Sequence, residues 1–157
     1  HQDFPKPLVP RWLRYEVPER MRADGVVHTP LDEDRILRVG QEMSEEGVEC
    51  VAVCFLHSHA FPAHENRAKD LLRSVLGSEI SVITSSLVYP EFREYERFST
   101  TVLNAALLTI INAYLDRFSS TIRKLGVNVE PTVSQSSGGL MSVGLIWIQN
   151  SNGKREY

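Results

Sequence analysis

"ECVAVCFLHSHAFPAHE", residues 49–65, is the stretch on which the fold turns. Glu49 to His57 is almost continuously apolar yet too short for a buried helix, so it reads as a strand that needs cover on both faces. From Pro62 the pattern changes to a helical one: Ala68, Leu71, Leu72 and Val75 share a side, and Gly77 ends it. Upstream, Asp32 or Asp34 caps a helix carrying Ile36, Leu37, Val39 and Met43, and Gly47 stops it. Downstream, "ISVIT" at 80–84 is a second buried strand. Helix, strand, helix, strand is the rhythm of an α/β layer, and right-handed crossovers set its two strands parallel.

Working outward, residues 13–29 hold short alternating pieces around Asp24-Gly25, a hairpin signal. The first twelve residues contain three prolines and little periodicity and read as a connecting segment entered from something upstream. The α/β portion therefore covers 13–90. Beyond it a helix is expected from about Glu91 to Leu125, closed by Gly126, with Leu103, Leu107, Ile110, Ile111, Tyr114 and Phe118 as its apolar stripe. About 35 residues make roughly 50 Å of helix, more than a small domain needs, so either it crosses between two lobes or it breaks near Ser119 and Ser120. Residues 127–143 then open a second lobe, and 144–157, "GLIWIQNSNGKREY", form an atypical tail.

A net charge of −3 with 24% charged residues gives no basic stripe, which argues against nucleic-acid binding. The run around Cys50 and Cys54 is no Cys-x-x-Cys motif; the two pack as small apolar groups in a reduced, cytoplasmic compartment. No apolar segment is expected to approach the roughly 20 residues of a membrane span, and the start shows neither a basic segment nor a hydrophobic secretory core.

Three stretches could carry chemistry. "YPEFREYERFSTTVLNA", residues 89–105, places Pro90, Glu91 and Glu94 at a helix start, where acids suit the peptide dipoles. Arg93, Arg97, Thr100 and Asn104 then form a polar seam with Glu96 beside it. Branching at Cβ makes Thr100 and Thr101 poor choices for an exposed helix interior. The seam is either a solvated first turn with local hydroxyl bonds or a face turned to a cleft. His57, His59 and His64 sit just past a strand's carboxyl end, where open α/β sheets place their chemistry. They could order the loop, touch substrate or ligate a metal, although a closed zinc site needs more ligands than this spacing offers, and no metal site is assigned. No Gly-x-Ser-x-Gly elbow is present. Gln135, Ser136, Ser137, Gly138 and Gly139 form either an ordinary turn or a backbone concavity for an anion; they are neither a complete P-loop nor a dinucleotide fingerprint.

Taken in order, "DGVVHTPLDE", "GVECVAVCFLHSHAFPAHE", "SSLVYPEFREYERFSTTVLNA" and "SQSSGGLMS" resemble the hydantoinase A and 5-oxoprolinase family, with the related acetone carboxylase subunit, from about Pro7 to Val143. The resemblance implies a partial sugar-kinase, heat-shock and actin-like fold, with two lobes closing over a nucleotide. It implies an ATP- and magnesium-dependent enzyme that activates the carbonyl of a cyclic amide or ketone by phosphoryl transfer. The substrate would be a hydantoin, 5-oxoproline or a relative, and the partner a hydantoinase B-type subunit or domain. The family's Asp-x-Gly-Gly-Thr phosphate loop is expected upstream of His1, so this piece by itself should be inactive. Glu94, Arg97, Thr100, Thr101 and Asn104 then fall in a catalytic interlobe seam, His57, His59 and Ser99 at substrate, and Gln135, Ser136, Ser137, Gly138 and Gly139 at the nucleotide. Two rival readings are a non-catalytic family member that binds a partner through the long helix, and a small-molecule-binding α/β module around the histidine loop.

Overall fold

A computed structural model describes residues 7–127, 132–134 and 140–142. The chain divides into two units, His1–Ala106 and Leu107–Tyr157.

The first unit opens with a 3-10 turn, Arg11–Leu13, and then a short antiparallel hairpin, β1 (Arg20–Met21) and β2 (Val27–Thr29). The expected Asp24-Gly25 turn is there. Asp24 Oδ1 accepts from Val26 N at 3.1 Å, Gly25 N donates to Arg22 O at 3.0 Å, and Gly25 takes a φ of 82° that favours glycine. The side opposite its hydrogens is closed as well: a Cβ built on Gly25 would lie 2.6 Å from the Phe61 ring, so the hairpin tip rests on the segment that follows the histidine loop.

Helix α1 spans Glu33–Glu45, and Asp32 rather than Asp34 is its cap, accepting from Arg35 N at 2.8 Å. It stops as glycine demands: Gly47 has φ 67°, Val48 N reaches Met43 O, and Gly47 N reaches Ser44 O. Strand β3 (Cys50–Val53) pairs in parallel with β4 (Ser81–Thr84), Val51 opposite Val82 and Val53 opposite Thr84. Helix α2 (Ala63–Leu76) connects them. The core joins Ile36, Val39 and Met43 of α1, Val51 and Val53 of β3, Ala68 and Leu72 of α2, and Val82. Gly40 lets the helices approach, since a Cβ there would stand 3.2 Å from Val75 Cβ.

The region after β4 departs from expectation. Immediately after β4 the chain makes a single helical turn, α3 (Ser85–Val88), before α4 begins at Glu94, three residues later than Glu91. Helix α4 runs without a break to Lys124, roughly 46 Å at 1.5 Å per residue. Ser120 and Thr121 do not interrupt it because both hydroxyls return to Arg117 O at 2.8 Å. Gly126, at φ 80°, closes the helix, with Val127 N bonded to Ile122 O.

The apolar stripe read from the sequence is the exposed side of α4: Leu103, Leu107, Ile110, Ile111, Tyr114 and Phe118 all face out, whereas Arg97, Thr101, Ala105, Leu108 and Leu115 are buried. The run Phe98 to Leu115 holds no charge, and α4 is long and apolar enough, by length and composition alone, to cross a membrane. That corrects the reading that no segment approaches such a length; hydroxyl and amide side chains, Ser99 to Thr101 and Asn104 among them, disguise the run. In the second unit β5 (Thr132–Ser134) pairs antiparallel with β6 (Leu140–Ser142).

Candidate functional site

Among the described residues, buried Ser58, Glu65, Ser85 and Arg97 gather at the carboxyl ends of β3 and β4. Glu65 lies in the first turn of α2, and its spacing to Ala68 and Leu72 puts it on the inward side of the helix, where it is completely buried. A carboxylate taken out of water needs donors on its lone pairs. Oε1 accepts from Phe55 N at 2.8 Å and from Ser85 Oγ at 2.6 Å, and Oε2 accepts from Ser86 N at 2.9 Å. The turn that β4 makes into α3 exists at this point because Ser85 and Ser86 both close onto Glu65.

Arg97 answers that charge from α4. It is also completely buried. Nε donates to Ser85 Oγ at 3.1 Å, Nη2 to Phe55 O at 3.0 Å, and Nη1 to Glu91 O at 2.7 Å. Nη1 also lies 3.5 Å from His59 Nδ1, and the guanidinium stands 5.1 Å from the centre of the Phe98 ring. The two charges never touch directly. Ser85 Oγ bridges them on one side and the Phe55 backbone on the other. Ser58, also buried, donates to Phe55 O at 2.9 Å, and its Oγ lies 3.2 Å from Ser85 Oγ. Thr101, one turn along α4, donates to Arg97 O at 2.7 Å, which answers the hydroxyl question for that residue.

This network carries the histidine loop. His57 takes φ 58°, the one positive value for a non-glycine among the described residues, at a backbone cost of about 1–3 kcal/mol. Its carbonyl collects Ala60 N and Phe61 N, making a tight turn that buries Ser58 and leaves His57 and His59 half-buried with ring centres 6.4 Å apart. His64 points elsewhere: its Nδ1 meets Glu19 Oε2 at 2.8 Å, tying α2 to the segment before β1.

The thiols offer no nucleophile. Burial first, and then the Glu65 charge, pushes Cys54 up to about 12 against a partial offset from Arg97 and Thr101; burial pushes Cys50 up to about 11. Both stay protonated at neutral pH. Lys69 is buried on α2, and desolvation holds its ammonium below the usual lysine range. Among the described residues no group of three or more His, Cys, Asp or Glu could hold a metal ion.

The structure thus brings Arg97, Thr101, His57 and His59 into one place and separates them from their expected neighbours. The seam divides because the buried side of α4 centres on Arg97, Thr101, Ala105 and Leu108. At about 100° per residue Thr100 lies some 60° round from Arg97, and Asn104 sits at the edge of that side. Thr100, Asn104 and Arg93 are exposed, while Glu94 and Ser99 are half-buried. Gln135, Ser136, Ser137, Gly138 and Gly139 lie outside the described residues. Glu65, Ser58 and Ser85 complete the site, and sequence reading did not single them out. The signal for Glu65 was present in its register with Ala68 and Leu72; for the serines no sequence signal existed.

Residues 1–76 match the family described as hydantoinase/oxoprolinase N-terminal region, and residues 97–146 match hydantoinase/oxoprolinase. The chain is 41% identical over 139 residues to an uncharacterized protein of Methanocaldococcus jannaschii, covering 88% of this chain and 20% of that one. It is 38% identical over 133 residues to caprolactamase subunit alpha of Pseudomonas jessenii, covering 85% and 19% respectively. The crystal structure of the ATP-dependent caprolactamase from Pseudomonas jessenii superimposes with a TM-score of 0.82 at 32% identity, over 97% of this chain and 23% of that one. The chain therefore spans about one fifth of the length of the relatives it matches.

Proposed function

The chain belongs to the hydantoinase A/oxoprolinase family, and on that premise we propose that it is a portion of an ATP-dependent enzyme that activates the carbonyl of a cyclic amide. In this reading the parent fold is of the sugar-kinase, heat-shock and actin type, and C–N hydrolysis follows activation of the ring carbonyl. One observation carries the assignment to this part of the molecule. A fully buried, oppositely charged pair supports a half-buried histidine loop at the carboxyl ends of parallel strands, the edge at which such sheets bind ligands. The likeness to a caprolactamase supports a lactam-type ring as the substrate class.

In this reading the ATP and magnesium site is built elsewhere in the complete enzyme: Arg97, which could have met a phosphate, directs its N–H groups to Ser85, Phe55, Glu91 and His59. Arg97 therefore orients the loop and does not meet developing charge. Its neighbours His57 and His59 bind and orient the carbonyl, while Thr101 fixes the first turns of α4. Nucleotide handling belongs to Gln135, Ser136, Ser137, Gly138 and Gly139 together with a phosphate loop elsewhere in the complete enzyme.

The test is lactam-dependent ATP hydrolysis. The isolated 157-residue chain should show none, and the complete enzyme carrying His59→Gln should lose about 100-fold or more in kcat/KM, a typical loss for a positioned polar group. Unchanged turnover in His57→Gln and His59→Gln together would remove the loop from the reaction.

The exposed side of α4 favours a second reading, in which the family portion contacts a partner subunit through Leu103, Leu107, Ile110 and Tyr114. Static light scattering of the chain with and without Ile110→Glu discriminates: association that persists in the variant counts against that surface.

A further inference from the structure

We propose that Glu65 is a positioning residue: together with Arg97 it grips the Phe55 backbone from both sides and so fixes how His59 presents its Nε2–H to a ligand oxygen. Phe55 is the residue at which β3 becomes the histidine loop. Its N–H is held by Glu65 Oε1 at 2.8 Å and its carbonyl by Arg97 Nη2 at 3.0 Å and Ser58 Oγ at 2.9 Å, so both polar groups of that residue are engaged by buried side chains. Neither charge could hold its place alone, because an uncompensated buried charge is driven toward water. Glu65 orders the Ser85 hydroxyl by accepting its hydrogen bond at 2.6 Å, which turns the serine lone pair toward Arg97 Nε at 3.1 Å. Arg97 is then locked, and its Nη1 stands opposite His59 Nδ1 at 3.5 Å.

The chemistry of that last contact assigns the ring. A guanidinium has N–H donors and no acceptor, so the imidazole nitrogen facing it carries its lone pair. The neutral ring then bears its proton on Nε2, the nitrogen that Arg97 leaves free, and His59 is half-buried, within reach of a ligand. A donor in that position suits an acceptor oxygen, such as the carbonyl of a ring amide. The identity of the oxygen rests on the function proposed above; the positioning itself does not.

The first measurement needs no variant. In the 157-residue chain labelled with 15N at the imidazoles, long-range proton–nitrogen spectra should show His59 protonated at Nε2 with a bare Nδ1, and a proton on Nδ1 overturns the proposal. The second uses Glu65→Gln, which keeps the shape but sets an amide N–H against the donors of Phe55 or Ser86. Amide exchange at Phe55 and Ser86 should accelerate by about tenfold or more beyond any change at Val82 and Ile83, and the His59 imidazole resonances should move. Arg67→Gln, at the exposed pair with Glu33, should move neither. A folded Glu65→Gln protein with unmoved His59 resonances overturns the proposal. Should that variant not fold, Ser85→Ala removes the bridge while keeping both charges, and unmoved resonances there overturn it equally. None of these readouts depends on ATP or a lactam, so failure of the proposed reaction would leave them standing.

Discussion

Removing both charges from the buried network should cost no more than removing one. Glu65→Leu deletes three acceptor contacts, from Phe55 N, Ser85 Oγ and Ser86 N, and leaves the completely buried Arg97 without its counter-charge. Breaking a buried pair in this way costs about 3–5 kcal/mol, and Arg97→Met, which strands Glu65, should cost a similar amount. Simple addition would put the double variant at roughly 6–10 kcal/mol, enough to unfold a domain whose total stability is about 5–15 kcal/mol. The stranded charge is, however, the larger part of each single loss, and the double variant has none. Its cost should therefore be no more than about 3–5 kcal/mol, a coupling of several kcal/mol between residues 32 positions apart in sequence. Equilibrium urea unfolding followed by circular dichroism reads all four proteins. Additive losses, or a Glu65→Leu cost below about 1 kcal/mol, would refute the view that the two side chains form one electrostatic unit.

Three further outcomes follow from other parts of the chain. Gly25→Ala should destabilise by about 1–3 kcal/mol, because it strains a φ of 82° and drives a Cβ to within 2.6 Å of Phe61; Gly47→Ala, with open space around it, should cost only about 1 kcal/mol in the same unfolding assay. Cys50 and Cys54, raised to about 11 and about 12 from 9.0, favour the folded state fully below pH 9 and lose that contribution as pH climbs through their folded values; thiol labelling near pH 8 should be slow until the protein unfolds, and rapid labelling of the folded chain would contradict their burial. The Arg67 hydrogen bond holds the Glu33 carboxyl below its ordinary value, so its contribution is present above the usual carboxylate range and fades as pH falls through the lowered value. Arg67→Gln should flatten that acid slope slightly at low salt and not at high salt, as an exposed pair requires.

Much of the α/β layer was legible because its signals are local. Asp32, Gly47, Gly77 and Gly126 punctuate the chain at fixed offsets, and the apolar periods of α1, α2, β3 and β4 need no knowledge of what packs against them. The side of α4 was not legible for the opposite reason. Hydropathy assigns the interior to Leu103, Leu107, Ile110 and Tyr114, yet the interior takes Arg97 and Thr101, since Arg97 has a carboxylate waiting 32 residues upstream. A buried guanidinium is chosen by its acceptors, and acceptors contributed by Phe55 O, Glu91 O and Ser85 Oγ come together only once the chain has folded. The histidine loop lies between these cases: its position past a strand end was readable, while the inversion at His57 and the burial of Ser58 were not.

The bridged charge pair also constrains how this region can change over generations. A replacement that removes the charge at either position 65 or position 97 strands its partner, so descent through one neutralised residue at a time is closed to all but the most robust homologues. Acid and base at these sites should be inherited together or vanish together, replaced as a set by apolar side chains of matching bulk.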